Sequence, residues 1–290
     1  MLPIFAQFQY LMMEKMLKVA ILDMNAGKPN QGMRCIIDIV SDYCCDVEFT
    51  VFDVRTKNEI PGLNFDIYIS SGGPGNPLEG DGIWDKAWYD LVDALWSYNN
   101  TPSNRIKKHV FFICHSFQMA CNHFELGTIT RRKSTSFGVM PIHKTDEGFE
   151  DILYRNLPDP HYAVDSRDYQ LVQPDLDVFA QHGAKILALE KIRTHVEYER
   201  AIMAVRFSPE MVGTQYHPEA DPEGMKIHFE KEENRNTVIN NFSIEKYVNM
   251  MESLDDKDKI TLTHTTILPS FLDNAICTIR SQSHKKVEVL

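Results

Sequence analysis

The stretch "VFFICHSFQMACN", residues 110–122, begins as an apolar run suited to a strand buried on both faces and continues with the composition of a helix. The change of state falls on three chemistry-bearing residues in a row, Cys114, His115 and Ser116. Two readings of Cys114 are open at this point. A small buried thiol can end a strand by chance, because free cysteine is among the most buried residue types. Alternatively, the chain turns on a nucleophile and presents its sulfur at the start of a helix, whose dipole favours the thiolate.

Working outward, "KVAILD" (18–23) is a strand and "NAGKPNQG" (25–32) a loop, and residues 32–45 carry helical spacing through Met33, Ile36, Ile37 and Val40. "DVEFTVFDV" (46–54) alternates as a strand does. "FDIYIS" (65–70) is a further strand, stopped by Gly72-Gly73-Pro74-Gly75. Residues 83–98 place Trp84, Trp88, Leu91, Val92, Leu95 and Trp96 on one helical face. This order predicts an α/β fold with a largely parallel central sheet flanked by helices. In such sheets ligands gather beyond the carboxyl ends of the strands, where both Ser71–Gly75 and Cys114 stand.

The second half reads as shorter strands at one side of that sheet: "FGVMPIHKT" (137–145), "YQLVQP" (169–174), "AKILALE" (184–190), "AIMAVRFS" (201–208) and a run into "MVGTQYHPEA" (211–220). A helical stretch over 236–254 and a terminal helix over 265–276, with Pro269 in its first turn, complete the chain. The organisation expected is a leader or docking segment at 1–17, a main domain at 18–222 and a largely helical C-terminal extension at 223–290.

Bulk properties narrow the classes. With 290 residues, 43% of them hydrophobic, the chain can bury a sizeable core. A formal net charge of −11 argues against nucleic-acid binding, which needs a concentrated positive surface. Arg131, Arg132 and Lys133 form the nearest thing to a basic cluster and read as a solvated loop. No stretch approaches the length of an apolar membrane span. "MLPIFAQFQYLMM" (1–13) is greasy but lacks the basic start and small-residue cleavage site of a signal peptide. Six cysteines without a CxxC pair fit free thiols in a reducing cytoplasm. No nucleic-acid or membrane partner is expected.

A thiol nucleophile needs a base, and His217 has the surroundings for one. It ends a strand-like run, is followed by Pro218, and has Glu219 two residues on, so a carboxylate can orient one ring nitrogen while the other faces the thiol. Attack on an amide also needs donors for the developing oxyanion. The "SSGGPG" turn (70–75) and the N–H of His115 can supply them. Taken singly, "GGPG" is a tight turn and "HPE" a turn with a surface acid. A Walker-type phosphate loop is excluded because Leu22 stands where glycine is required before Gly27-Lys28.

The three motifs in this order, strand-GGPG, strand-Cys-x-x-x-Gln and strand-His-Pro-Glu, resemble the class I (triad) glutamine amidotransferases, including the amidotransferase domain of GMP synthase. The separation of 103 residues between Cys114 and His217 is of the size that family uses. The resemblance spans roughly residues 18–220. It implies a flavodoxin-like fold, a nucleophile at Cys114, a base at His217 and an orienting carboxylate at Glu219. It further implies an oxyanion hole from Gly73 and His115, contact of Gln118 with bound glutamine, and no metal or organic cofactor.

Two positions depart from the family pattern. Ser116 stands where the family usually has glycine, and either alters the turn or points into the site. "DSRDYQ" (165–170) replaces the usual serine-histidine motif, with Arg167 near the expected histidine, as a fork for a substrate carboxylate or as a salt-bridge residue. The implied activity is hydrolysis of the side-chain amide of L-glutamine through a γ-glutamyl thioester, with ammonia released to a separate synthase protein. The alternatives are a γ-glutamyl hydrolase or peptidase with the same triad, and a non-catalytic metabolite-binding regulatory subunit.

Overall fold

The strands are β1 (Leu17–Asp23), β2 (Val47–Asp53), β3 (Ile67–Ser70), β4 (His109–Ile113), β5 (Thr128–Lys144), β6 (His161–Val172), β7 (Lys185–Glu190), β8 (Ile202–Arg206) and β9 (Met211–Thr214). The helices that matter to the site are α1 (Gln31–Ser41), α2 (Trp84–Asn100), α3 (His115–His123), α4 (Leu176–His182), α5 (Pro222–Glu230), α6 (Glu232–Asn241), α7 (Ile244–Asp255) and α8 (Ile267–Val287). They come from a computed structural model that describes residues 15–192 and 199–287. The expected N-terminal segment therefore lies outside the described residues, apart from its last three.

All the strands join one sheet in the order β2-β1-β3-β4-β9-β8-β6-β5-β7. From β2 to β9 the neighbours run parallel. Beyond β9 every pairing is antiparallel, and β7 also pairs with β8, so β8, β6, β5 and β7 close on themselves like a small barrel. The expectation of a largely parallel sheet thus holds for five strands and fails for the rest. Part of the reason is connectivity: parallel neighbours need long crossover segments, whereas β8 and β9 are joined only through residues 207–210, a link that permits antiparallel pairing alone.

Alternation along the parallel strands divides the core. Val19, Ile21, Ile67, Ile69, Phe111 and Ile113 pack with α1 and α8, while Ala20, Leu22, Tyr68, Val110 and Phe112 pack with α2 and α3. Helix α8 inserts Ile267, Leu268, Phe271, Leu272, Ala275, Ile276 and Ile279 into the first layer, so the C-terminal extension packs on the main domain. Each large side chain of that set removes enough apolar surface from water to contribute about 1.5–3 kcal/mol. A third apolar cluster joins Phe229, Val238, Met250, Leu254 and Ile260, from α5 to the turn after α7, to Val164 and Ala220 beside the sheet.

Three local readings change. The "RRK" run is part of β5 and not a loop: the Arg132 side chain is only 6% exposed and meets Glu190 at 3.2 Å. The single helix expected over 236–254 is two, because Ser243 stops one and caps the next by accepting from the Lys246 N–H. The β5–β6 hairpin is much longer than its apolar segments, since its polar arms hide the strand pattern.

Candidate active site

Strand β4 ends at Ile113 and helix α3 starts at His115, with Cys114 between them at φ 49°, ψ −99°. A non-glycine residue held at positive φ costs on the order of 1–3 kcal/mol and persists only where its surroundings over-determine it. Here the Cys114 N–H donates to Thr214 O at 2.8 Å, and the Gln118 N–H donates to Cys114 O at 3.0 Å. Ser116 adds the third tie. Its hydroxyl donates to Ser70 O at 2.7 Å and accepts from the Ile113 N–H at 3.0 Å, and the residue is fully buried. The side chain that sequence reading offered to the substrate is therefore a brace between β3, β4 and α3.

The loop after β3 runs alongside this elbow. A Cβ on Gly72 would lie 2.8 Å from Cε1 of His217, and one on Gly73 would lie 2.4 Å from Met24 O, so both positions require glycine for close approach. Arg55 pins the loop by donating to Pro74 O at 2.6 Å, with its guanidinium over the Trp84 ring. His115 is the first residue of α3, so its N–H has no partner within the helix. The His115 imidazole is buried, which with nearby Arg55 lowers its pKa to about 4 and leaves the ring neutral at pH 7.

His217 follows β9 and is fixed by its N–H, which donates to Val164 O at 2.8 Å. Its Nδ1 is 2.8 Å from Glu219 Oε1, and Gly72 lies between its ring and Cys114, a Cβ there falling 2.8 Å from His217 Cε1 and 3.4 Å from Cys114 Cβ. Burial alone would lower the pKa of His217, but the charges of Glu219 and Cys114 and the hydrogen bonds to both raise it well above the ordinary histidine value. Glu219 is 1% exposed, and its Oε2 has no hydrogen-bond partner among the described residues. The structure thus brings Cys114, His217 and Glu219 into one chain of contacts.

Cys114 opens onto a cavity of about 450 Å³. Gly73, His115, Gln118, Arg167, His217 and Glu219 line it, whereas Ser116 does not. Gln118 donates through Nε2 to Gln215 Oε1 at 2.8 Å and to Tyr169 O at 3.1 Å. The Arg167 guanidinium is held by Asp165, its Nε 3.0 Å from both carboxylate oxygens, and by Glu190 at 3.5 Å. Of the two readings offered by the sequence, the salt-bridge one describes these contacts, and the side chain is 1% exposed.

Sequence reading missed Gln215, whose Nε2 is 3.7 Å from Cys114 Sγ, and Asp168. Asp168 lines the cavity and accepts from Thr135 Oγ1 at 2.5 Å, while Glu219 and Asp221 are engaged by His217 and Arg34. The alternation of β6 held the signal, since Asp165 and Arg167 are buried and Ser166 and Asp168 are exposed. A second thiol on the wall, Cys35, is pushed up to about 12 by burial and stays protonated. Among the described residues no group of three or more His, Cys, Asp or Glu is placed to hold a metal ion, and no helix is long and apolar enough to cross a membrane.

Comparison with known proteins places this geometry. The sequence model of the family described as glutamine amidotransferase class-I matches residues 34–234. No curated protein matches the sequence. A glutamine amidotransferase from Thermotoga maritima is similar in structure at TM-score 0.61 and 16% identity, covering 91% of this chain and 99% of its own. A protein from Thermoplasma acidophilum described as a GMP synthase component aligns at TM-score 0.55 and 13% identity, over 96% of this chain and 100% of its own. The glutaminase domain of Trypanosoma brucei CTPS with bound acivicin aligns at 0.51 and 12%, over 70% of this chain and 86% of its own.

Proposed function

Since the chain belongs to the class-I glutamine amidotransferase family, we propose that it hydrolyses the γ-amide of L-glutamine with Cys114 as nucleophile, His217 as base and Glu219 as the group that orients it. The observation that carries this reading is the arrangement itself: a sulfur at a strained elbow, an imidazole that flanks Gly72 together with it, and a buried carboxylate 2.8 Å from that imidazole.

In the proposed reaction His217 accepts the Cys114 proton, and the thiolate forms a bond to the amide carbon. The N–H groups of Gly73 and His115 receive the oxyanion. His217 then gives its proton to the leaving nitrogen, the carbon–nitrogen bond breaks, and ammonia departs. Water, activated by His217, hydrolyses the γ-glutamyl thioester to glutamate and restores the thiol. We assign Asp168 to the substrate's ammonium and Gln118 to contact with the bound glutamine, since both line the cavity. No cofactor takes part in these steps. We place the ammonia acceptor in a separate synthase protein and the enzyme in the cytoplasm.

The test is mass spectrometry after reaction with a diazo-ketone analogue of glutamine, combined with an ammonia assay. Labelling confined to Cys114, and loss of ammonia release in Cys114→Ala with unchanged melting temperature, supports the assignment. Equal labelling of Cys44 or Cys277, which are exposed, overturns it.

A further inference from the structure

The cavity over Cys114 is built for more than ammonia as leaving group. Gln118, Asp168 and the Gly72–Gly73 loop are among its polar lining. Val164, Ala220, Phe137 and Met225 line the same cavity and belong to one apolar cluster, with Ser166, Asp221 and His228 on the lining beside them. That wall adjoins His217 directly, because the His217 N–H bonds Val164 O at 2.8 Å and the Ala220 N–H bonds His217 O at 3.4 Å.

A leaving amine must depart next to the imidazole that protonates it. Whatever the leaving nitrogen carries therefore meets this wall. Met225 comes from α5, and α5 is held in place before any substrate arrives. Asp221 caps its first turn by accepting from the Gly224 N–H at 2.7 Å, and both Asp221 oxygens take hydrogen bonds from Arg34, at 2.7 and 2.8 Å. A fixed apolar surface beside the proton donor contributes nothing to the release of ammonia. The volume of about 450 Å³ lies within the roughly 300–1,000 Å³ of pockets that hold drug-sized ligands, more room than free glutamine fills.

We propose that the preferred substrate is a γ-glutamyl amide bearing an apolar substituent on the amide nitrogen, the substituent lying against Val164, Phe137, Ala220 and Met225. The proposal rests on the reading that Cys114 attacks a γ-glutamyl carbonyl. The chemistry is that of the glutamine reaction with the departing group changed. The sulfur–carbon bond forms, the carbon–nitrogen bond breaks, His217 transfers its proton to the primary amine, and water completes hydrolysis to glutamate.

The experiment compares kcat/KM of the purified full chain for L-glutamine, γ-L-glutamylbenzylamide and γ-L-glutamylglycine, and repeats the series with Met225→Asp. One methylene in an apolar pocket is worth about 10–200-fold in discrimination. The benzylamide is expected to exceed glutamine by at least about tenfold, and Met225→Asp to cut that ratio by about tenfold or more, with the melting temperature confirming a folded variant. A preference for glutamine or for γ-glutamylglycine overturns the proposal, as does an unchanged ratio in Met225→Asp. A chain that cleaves none of the three and resists the diazo-ketone overturns the parent reading as well. A chain that reacts with the diazo-ketone at Cys114 and prefers glutamine overturns only the substrate class.

Discussion

His264 Nδ1 lies 2.8 Å from the backbone carbonyl oxygen of Glu219, so a residue from the turn just before α8 holds the chain at the carboxylate that orients His217. Nearby, Thr263 Oγ1 donates to Tyr162 O at 2.6 Å, fixing the same turn to β6. The C-terminal part of the chain is in this way tied to the candidate site through hydrogen bonds as well as through the core.

His264→Ala should lower kcat by up to about tenfold with little change in KM, the scale of one ordinary hydrogen bond lost. His264→Asn keeps a donor near the Nδ1 position and should recover most of the loss. Steady-state kinetics of the two variants check this, and equal activity in both would remove the positioning role.

His217→Ala should reduce ammonia release by about 10²–10⁴-fold, the usual weight of a general base. Glu219→Gln should cost less, because the carboxylate orients the ring without transferring the proton. Parallel rate measurements decide the order, and a slower Glu219→Gln enzyme contradicts the assigned roles.

Gly72→Ala puts a methyl group 2.8 Å from the His217 ring. The ring has to shift away from Cys114, so activity should fall steeply while the melting temperature moves little. Gly73→Ala meets backbone at Met24 O instead, and should lower both.

Stability should fall as the solution is acidified below about pH 6.5. Burial, aided by neighbouring positive charge, lowers the pKa of His109 to about 4, of His115 to about 4 and of His161 to about 3. Between those values and the unfolded value the unfolded chain binds the extra protons, so stability rises with pH by about 1.4 kcal/mol per unit for each group. His217 acts in the opposite sense: its contribution is full below the unfolded value and is lost as pH rises toward its raised folded value. Urea midpoints between pH 4.5 and 7 measure the slope, and His161→Gln should remove about a third of it.

Phe271→Ala in α8 should cost about 3–5 kcal/mol, since the ring packs edge-on against Phe111 at 5.2 Å between centroids in the main core. Truncation after Pro222 removes every buried residue of α8 and should leave a chain that does not fold. A melting curve near that of the full chain would show instead that the parallel sheet can cover this face without α8.

What the sequence alone determined was whatever local chemistry dictates. An apolar run ending on Cys114, a glycine turn after "FDIYIS" and "HPE" after another apolar run each state a conformation and a functional group within a few residues. Their order along the chain was enough to imply a parallel sheet with all three at strand ends, and the first five strands of the sheet have that arrangement. The partners of Ser116 and Arg167 are set by residues that lie far away in sequence. Ser116 bonds a carbonyl 46 positions away, and Arg167 meets Glu190 on another strand. Either side chain read alone is a plausible ligand for a substrate. Only tertiary packing, which must satisfy every buried polar group, turned one into a brace and the other into a salt bridge. The same holds for α8, whose amphipathic sequence announces a buried face without naming the surface that covers it. Phe271 meets Phe111 because the tertiary fold lays α8 against β4.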